Sequence, residues 1–176
     1  MNSYGVVTSP STVKIERLLP GPIERVWQYL TDPDKRRQWL AGGEMQQRNG
    51  GKVELIFRNS ELSEQGDLPS TKYANCAGEV SVSGEVLECQ PPHVLAYTWG
   101  DDQSQVRFEL NAEAEQVRLT VVHSRLPSRD HMISVASGWH THLDILADVL
   151  ANRAHASFWS THNQLEAEYE RRIAVI

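Results

Sequence analysis

The chain has 176 residues, and its 17 Lys and Arg against 23 Asp and Glu give a net charge of −6 with no long block of either sign, which argues against nucleic acid or an anionic membrane as the main partner. A chain of this length predicts one domain that buries roughly 70% of its unfolded surface. Cys76 and Cys89 stand alone without CxxC spacing, which excludes metal fingers and disulfide-stapled scaffolds and suits a reduced, cytoplasmic setting. The first residues have no charged start and no apolar run, and no apolar stretch approaches the roughly 18 residues of a membrane span, so a soluble, unprocessed protein is expected.

Residues 1–11, small and polar, read as a flexible leader before a domain over 12–151. Val13 and Ile15 alternate with Lys14 and Glu16, a strand running to about Leu19 and ended by Pro20-Gly21-Pro22. Ile23, Val26, Trp27 and Leu30 then recur at helical spacing, with Trp27 assigned to the core. Asp32-Pro33 is an N-cap and first-turn pair that predicts a short second helix to Trp39, with Lys35, Arg36 and Arg37 as its solvated face. Asn49-Gly50-Gly51 predicts a hairpin between strands at Glu44–Gln47 and Val53–Phe57; Lys52 runs into a strand, so the glycines form no phosphate loop. From Asn59 to Gly78 the sequence is polar and patternless, either a floppy insertion or a lid.

Strand signals follow quickly: Val80, Val82 and Val86, with Gly84 a bulge or close-approach point, then Leu95, Tyr97 and Trp99 on one face. After a turn at Gly100-Asp101-Asp102 come Val106, Phe108 and Leu110, then Val117, Leu119, Val121 and His123. About seven strands, largely joined by hairpins, predict an antiparallel sheet and an α+β fold. Gly138–Leu150 reads as the long helix that the sheet holds: Trp139, Leu143, Leu146 and Leu150 form one stripe, Ile145 and Val149 widen it, and Asp144 and Asp148 mark the wet face. Phe158, His162, Leu165 and Tyr169 predict an additional amphipathic helix in the 152–176 extension, packed on the domain's outside or in a homodimer, with Glu168 and Arg172 paired on its outer side.

The run Gly84-Glu85-Val86-Leu87-Glu88-Cys89-Gln90-Pro91-Pro92-His93-Val94-Leu95-Ala96-Tyr97-Thr98-Trp99, preceded by Val26-Trp27, Leu30-Thr31-Asp32-Pro33 and Trp39 and followed by Gly138-Trp139, resembles the bacterial proteins similar to the activator of heat-shock-protein-90 ATPase, within the START-like helix-grip superfamily. The resemblance covers roughly residues 12–151 and implies a curved antiparallel sheet gripping a long C-terminal helix, often around a cavity that takes small hydrophobic molecules. It implies no cofactor. The eukaryotic co-chaperone that names the family carries a separate N-terminal domain, to which nothing in these residues corresponds. A chaperone as partner is therefore the second reading, and a cyclase-like enzyme, known among helix-grip relatives, the third.

Seven histidines raise the question of a metal, but His140 and His142 point about 200° apart on a helix and Asp144, not His, follows His140 by four. His140 with Asp144 reads as an exposed pair. Neither cysteine, nor the cluster Ser157, Ser160 and His162, carries a recognisable nucleophile pattern, so no catalytic or metal residues are assigned. The expected function is binding, without catalysis, of a small hydrophobic ligand between sheet and helix. Strand parity and helix phase nominate Trp39, Leu55, Phe57, Tyr97, Trp99, Phe108, Leu119, His123, Trp139, His142, Leu143 and Leu146 as its lining. For the rings and the two histidines the competing reading is ordinary core packing.

Overall fold

The computed structural model describes residues 3–100 and 103–174. Seven strands, β1 (Val6–Ser9), β2 (Thr12–Pro20), β3 (Lys52–Phe57), β4 (Val80–Gln90), β5 (Val94–Trp99), β6 (Ser104–Glu113) and β7 (Gln116–Ser124), form one antiparallel sheet in the order β1-β2-β7-β6-β5-β4-β3. Helices α1 (Ile23–Thr31) and α2 (Pro33–Arg36) carry the chain from β2 across to the far edge at β3. The long α3 (Arg129–Leu150) packs on β2, and α4 (Phe158–Arg172) packs on α3 within the same chain. This is the expected α+β helix-grip arrangement. Among the described residues no helix is long and apolar enough to cross a membrane.

Alternation explains the sheet. Val13, Ile15 and Leu19 of β2, Val106, Phe108 and Leu110 of β6, and Val117, Leu119, Val121 and His123 of β7 are all buried, while their neighbours are not. Gly84 faces Val53 across the β3–β4 ladder, and a Cβ there would lie 2.0 Å from the Thr98 carbonyl oxygen, so the position requires glycine. The register shift of β4 falls beyond it, between Val86 and Glu88. Of the Gly100–Asp102 turn, residues 101 and 102 lie outside the described residues; Gly100 has φ +63°.

Several expectations are corrected. The leader is not wholly flexible: Val6–Ser9 pairs with β2, and the Gly5 N–H donates to the Tyr169 hydroxyl of α4 at 2.7 Å. Glu44–Gln47 forms no strand; Gly42 and Met45 make only isolated bridges to β3. The long helix begins nine residues before Gly138, where Ser128 caps it by accepting from the His131 N–H, and Met132, Ile133 and Ala136 extend the buried stripe. Asp144 does not mark a wet face. Arg17 lies at an inward position of β2 and donates from Nε and Nη2 to Asp144 Oδ1 at 3.2 and 3.1 Å, so the helix carboxylate answers a buried guanidinium. His140 is likewise buried, with Nδ1 2.8 Å from the Tyr169 hydroxyl and Nε2 3.4 Å from Asp144 Oδ2.

The basic run on α2 is also divided. The Asp32 carboxylate caps the helix as expected, but Arg36 is 0% exposed. Its guanidinium donates to the carbonyls of Ala41, Leu30, Thr31, Gly42 and Gly43, gathering the end of α1 and the 41–43 loop around one cation. Trp39, packed beside this cluster and fully buried, donates its Nε1–H to the Tyr29 carbonyl at 2.8 Å. Replacing Arg36 by Met leaves those carbonyls without its guanidinium, Gly42 alone keeping a second donor in the Ile56 N–H, with an expected loss of about 3 kcal/mol in urea unfolding. Arg36→Lys, with three donors and no planar fork, is expected to recover less than half of it.

Candidate functional site

The C-terminal ends of β3 and β5, the N-terminal end of β4, one face of α3, the start of α4 and the 59–78 segment line a half-open cavity of about 280 Å³. Phe57, Val80, Val82 and Trp99 form its sheet side, with His123 behind them. The α3 side presents Ser134, Val135, Gly138, Trp139 and His142, and α4 presents Phe158, Trp159 and His162. The rings interlock at edge-on or tilted angles: Trp99–Trp139 at 5.5 Å, Phe57–Trp99 at 5.9 Å and His142–Phe158 at 4.7 Å between centroids. Gly138 sits mid-helix, where glycine costs about 1 kcal/mol relative to alanine, and a Cβ there would touch nothing within 4 Å. The space before it is part of the cavity.

Two of the three histidines in the wall have a defined tautomer. The Trp139 Nε1–H donates to His123 Nδ1 at 3.1 Å, so His123 carries its proton on Nε2, which faces the Ser104 hydroxyl at 2.8 Å. His142 Nδ1 lies 2.7 Å from the Trp39 carbonyl, an acceptor only, so that nitrogen carries the proton. Burial lowers the His142 pKa to about 4 and outweighs the opposing carbonyl contact. Burial also lowers His162, whose ring meets Tyr73 edge-on at 4.9 Å. Among the described residues no Lys, Arg, Asp or Glu lines the cavity, so its described wall is neutral at physiological pH.

The 59–78 segment is held over the cavity. It contains two 3-10 helices, Asn59–Leu62 and Thr71–Cys76, and contributes Asn59, Tyr73 and Cys76 to the wall. Helix α4 has no side-chain bond from its own N-cap, Ser157. The segment supplies the missing acceptors: Ser63 Oγ receives the Trp159 N–H at 3.1 Å, and the Asp67 carboxylate receives the Ser160 N–H at 3.2 Å together with its hydroxyl. Burial raises the Asp67 carboxyl, but the hydrogen bonds from Ser160 and Ser63 outweigh it and hold the group below its usual value. Farther along, the Tyr73 hydroxyl pairs with Ser134 Oγ at 2.6 Å and Lys72 reaches Glu166 at 3.7 Å.

Of the nominated lining, Phe57, Trp99, His123, Trp139 and His142 meet around the cavity. Trp39, Leu55, Tyr97, Phe108, Leu119, Leu143 and Leu146 lie in the core beneath it and do not line it. Sequence reasoning missed Tyr73, Phe158, Trp159 and His162 as wall residues. Tyr73 is the sole ring in an otherwise polar stretch, and Phe158 with His162 shares the stripe that marked α4, so both had a signal. Of the crowded Ser157, Ser160 and His162, the two serines bind the 59–78 segment and only His162 faces inward. A larger hollow of about 630 Å³ lies between β1, α3 and the end of α4. Its arginines are occupied there, Arg129 by Glu170 and the Ile173 carbonyl, Arg172 by Glu168 and the Tyr4 ring. Among the described residues no group of three or more His, Cys, Asp or Glu is placed to hold a metal ion.

Two measurements probe this geometry. In the unfolded chain His142 takes up a proton near its ordinary 6.5, whereas in the fold it does so only at about 4. Between those values the unfolded state binds more protons, so stability is constant above the window and falls through it as pH drops, by on the order of 3 kcal/mol. Urea unfolding at stepped pH is expected to show this loss in the wild type and a smaller one in His142→Phe. Asp67→Ala removes a cap from α4 at a cost of about 1 kcal/mol, so exchange of the Ser160 amide is expected to quicken about fivefold, and trypsin to cut sooner at Lys72, with core amides unchanged.

Comparison with known proteins follows the same lines. Residues 20–151 match the family described as Activator of Hsp90 ATPase homolog 1-like protein. The solution NMR structure of a Bordetella parapertussis protein is 42% identical, covers 99% of this chain and 92% of that one, and superposes with a TM-score of 0.81. Two more distant structures share the fold: CalU16 from Micromonospora echinospora, at 22% identity with 93% and 89% of the two chains covered and a TM-score of 0.68, and the Aha1 dimer from Colwellia psychrerythraea, at 16% identity with 79% and 95% covered and a TM-score of 0.58. No curated protein matches the chain. With most of its length inside the family match and a relative aligned almost end to end, the chain belongs to the Activator of Hsp90 ATPase homolog 1-like family.

Proposed function

We propose that the protein binds a small, uncharged, largely apolar molecule in the aromatic cavity between the sheet, α3 and α4, beneath the 59–78 segment acting as a lid, and that it does so without catalysing a reaction. The observation that carries this reading is the open space before Gly138, walled by Phe57, Trp99, Trp139 and Phe158. A packed core would have filled it. The engaged nitrogens of His123 and the low basicity of His142 favour binding over the cyclase-like alternative, since a general base works best with a pKa near the ambient pH.

The family name favours a co-chaperone role as the alternative. Such a role would need an outward surface, on Lys35–Arg37 or on α4; the first is broken by Arg36, which turns inward between the half-buried Lys35 and the exposed Arg37 and leaves no continuous basic face there. Stimulation of a heat-shock chaperone ATPase by wild type and cavity-blocked protein alike would favour that role.

Gly138→Leu is the discriminating variant. It fills the cavity from the helix side and replaces a poor helix former by a good one, a change of about 1 kcal/mol in favour of folding. Native mass spectrometry of protein purified from its own host is expected to show a discrete mass surplus, lost on denaturation, in the wild type and not in Gly138→Leu, which melts no lower. An equal surplus in both proteins, or none in either, sinks the cavity reading.

A further inference from the structure

The cavity wall holds three histidines, and in only one of them, His142, does a hydrogen bond fix the proton on one nitrogen and leave the other open to an occupant. Both nitrogens of His123 are engaged, one by Trp139 and one by Ser104. His162 lines the cavity too, but its Nδ1 is buried without a hydrogen-bond partner among the described residues and its ring meets Tyr73 edge-on, so no contact fixes which of its nitrogens carries the proton. His142 differs. Its Nδ1–H is committed to the Trp39 carbonyl at 2.7 Å, and its ring is fixed between Phe57 and Phe158, at 6.0 and 4.7 Å between centroids. Its Nε2 makes no hydrogen bond among the described residues, and it is not among the sealed, unpartnered atoms. A neutral imidazole protonated on Nδ1 can only accept at Nε2.

The other polar groups narrow the choice further. The Tyr73 and Ser134 hydroxyls bond each other at 2.6 Å, which uses one of their two protons, and Asn59 Oδ1 adds a buried acceptor without a partner among the described residues. Among the described residues no cation lines the wall, so a carboxylate or phosphate would enter without a counter-charge from them, at a desolvation cost that none of their contacts repays. An apolar cavity of roughly 150 Å³ holds benzene, so about 280 Å³ holds a molecule of two or three fused rings.

We infer that the occupant is an uncharged aromatic molecule of two or three rings carrying a hydroxyl or N–H group, and that this donor is received by His142 Nε2. The inference rests on the cavity reading above and deepens it. His142 stays an acceptor throughout the physiological range because burial keeps it neutral. The site therefore prefers a donor-bearing ring over the same ring with its donor methylated, since the methylated analogue buries Nε2 unpaired.

The test uses naphthalene, naphthol and methoxynaphthalene as probes, with affinities from quenching of the wall tryptophans at neutral pH. Wild type is expected to bind naphthol about tenfold more tightly than methoxynaphthalene, the yield of one net buried hydrogen bond. His142→Phe is expected to abolish that preference while keeping naphthalene within a few-fold, and His142→Gln, whose amide oxygen can accept, to keep part of it. Equal binding of naphthol and methoxynaphthalene by wild type overturns the inference without any variant, and so does a preference that survives in His142→Phe. Failure of all three probes to bind wild type, or binding undiminished by Gly138→Leu, overturns the cavity reading itself.

Discussion

Strands spaced about 4.8 Å apart make a seven-stranded sheet close to 30 Å wide, and a helix about 10 Å across covers only a third of it. Everything else on the inner face is a response to that mismatch. Helices α1 and α2 cover the part where β2 leaves the sheet, α4 widens α3 on its far side, and large rings span the remaining gap. Near the open ends of β4 and β5 the faces of α3 and α4 and the polar 59–78 segment do not close fully on the sheet, and there the packing is incomplete. The cavity lies where the helix layer runs out, which places it by geometry before any ligand is considered.

The same crowding makes the polar groups chemically specific. With sheet, α4 and the N-terminal strand all pressed around it, α3 is buried on nearly every side, and its histidines are held by fixed partners. His140 belongs to the Arg17–Asp144–Tyr169 cluster at one flank and His142 to the cavity at the other, two positions apart in sequence and on opposite sides of the helix. One flank gathers charge to secure the N-terminal strand. The other excludes it.

Much of this was legible in the residues. Period-two alternation placed every long strand and put His123 on the inner face, and the Asp32-Pro33 pair marked the start of α2. What the pattern could not give was depth or distant partners. Parity treats Leu119 and His123 alike, yet one lies under the helix and the other at the cavity. Asp144 looked solvated because a helix's polar side is outward when it has one covered face, and nothing local reveals that Arg17, 127 positions away, turns inward to meet it. Arg36 was misjudged for the same reason, since its acceptors are carbonyls of a loop whose path no side-chain pattern announces. The 59–78 segment has no periodicity, and the caps it gives α4 join residues 93 to 96 positions apart.

The buried Arg36 carries a consequence for how the family diversifies. By drawing the end of α1 and the 41–43 loop together it fixes the backbone around Trp39, and the Trp39 carbonyl is what assigns the proton on His142. The polarity of His142 Nε2 is thus inherited from a main-chain oxygen and, through it, from a cation that lies outside the cavity wall. Two relatives with the same wall residues would present opposite faces, one accepting and one donating, if that carbonyl moved away from the ring. If the cavity takes the occupant proposed for it, its preference is encoded partly in the scaffold behind the wall, where a comparison of lining residues alone would not find it.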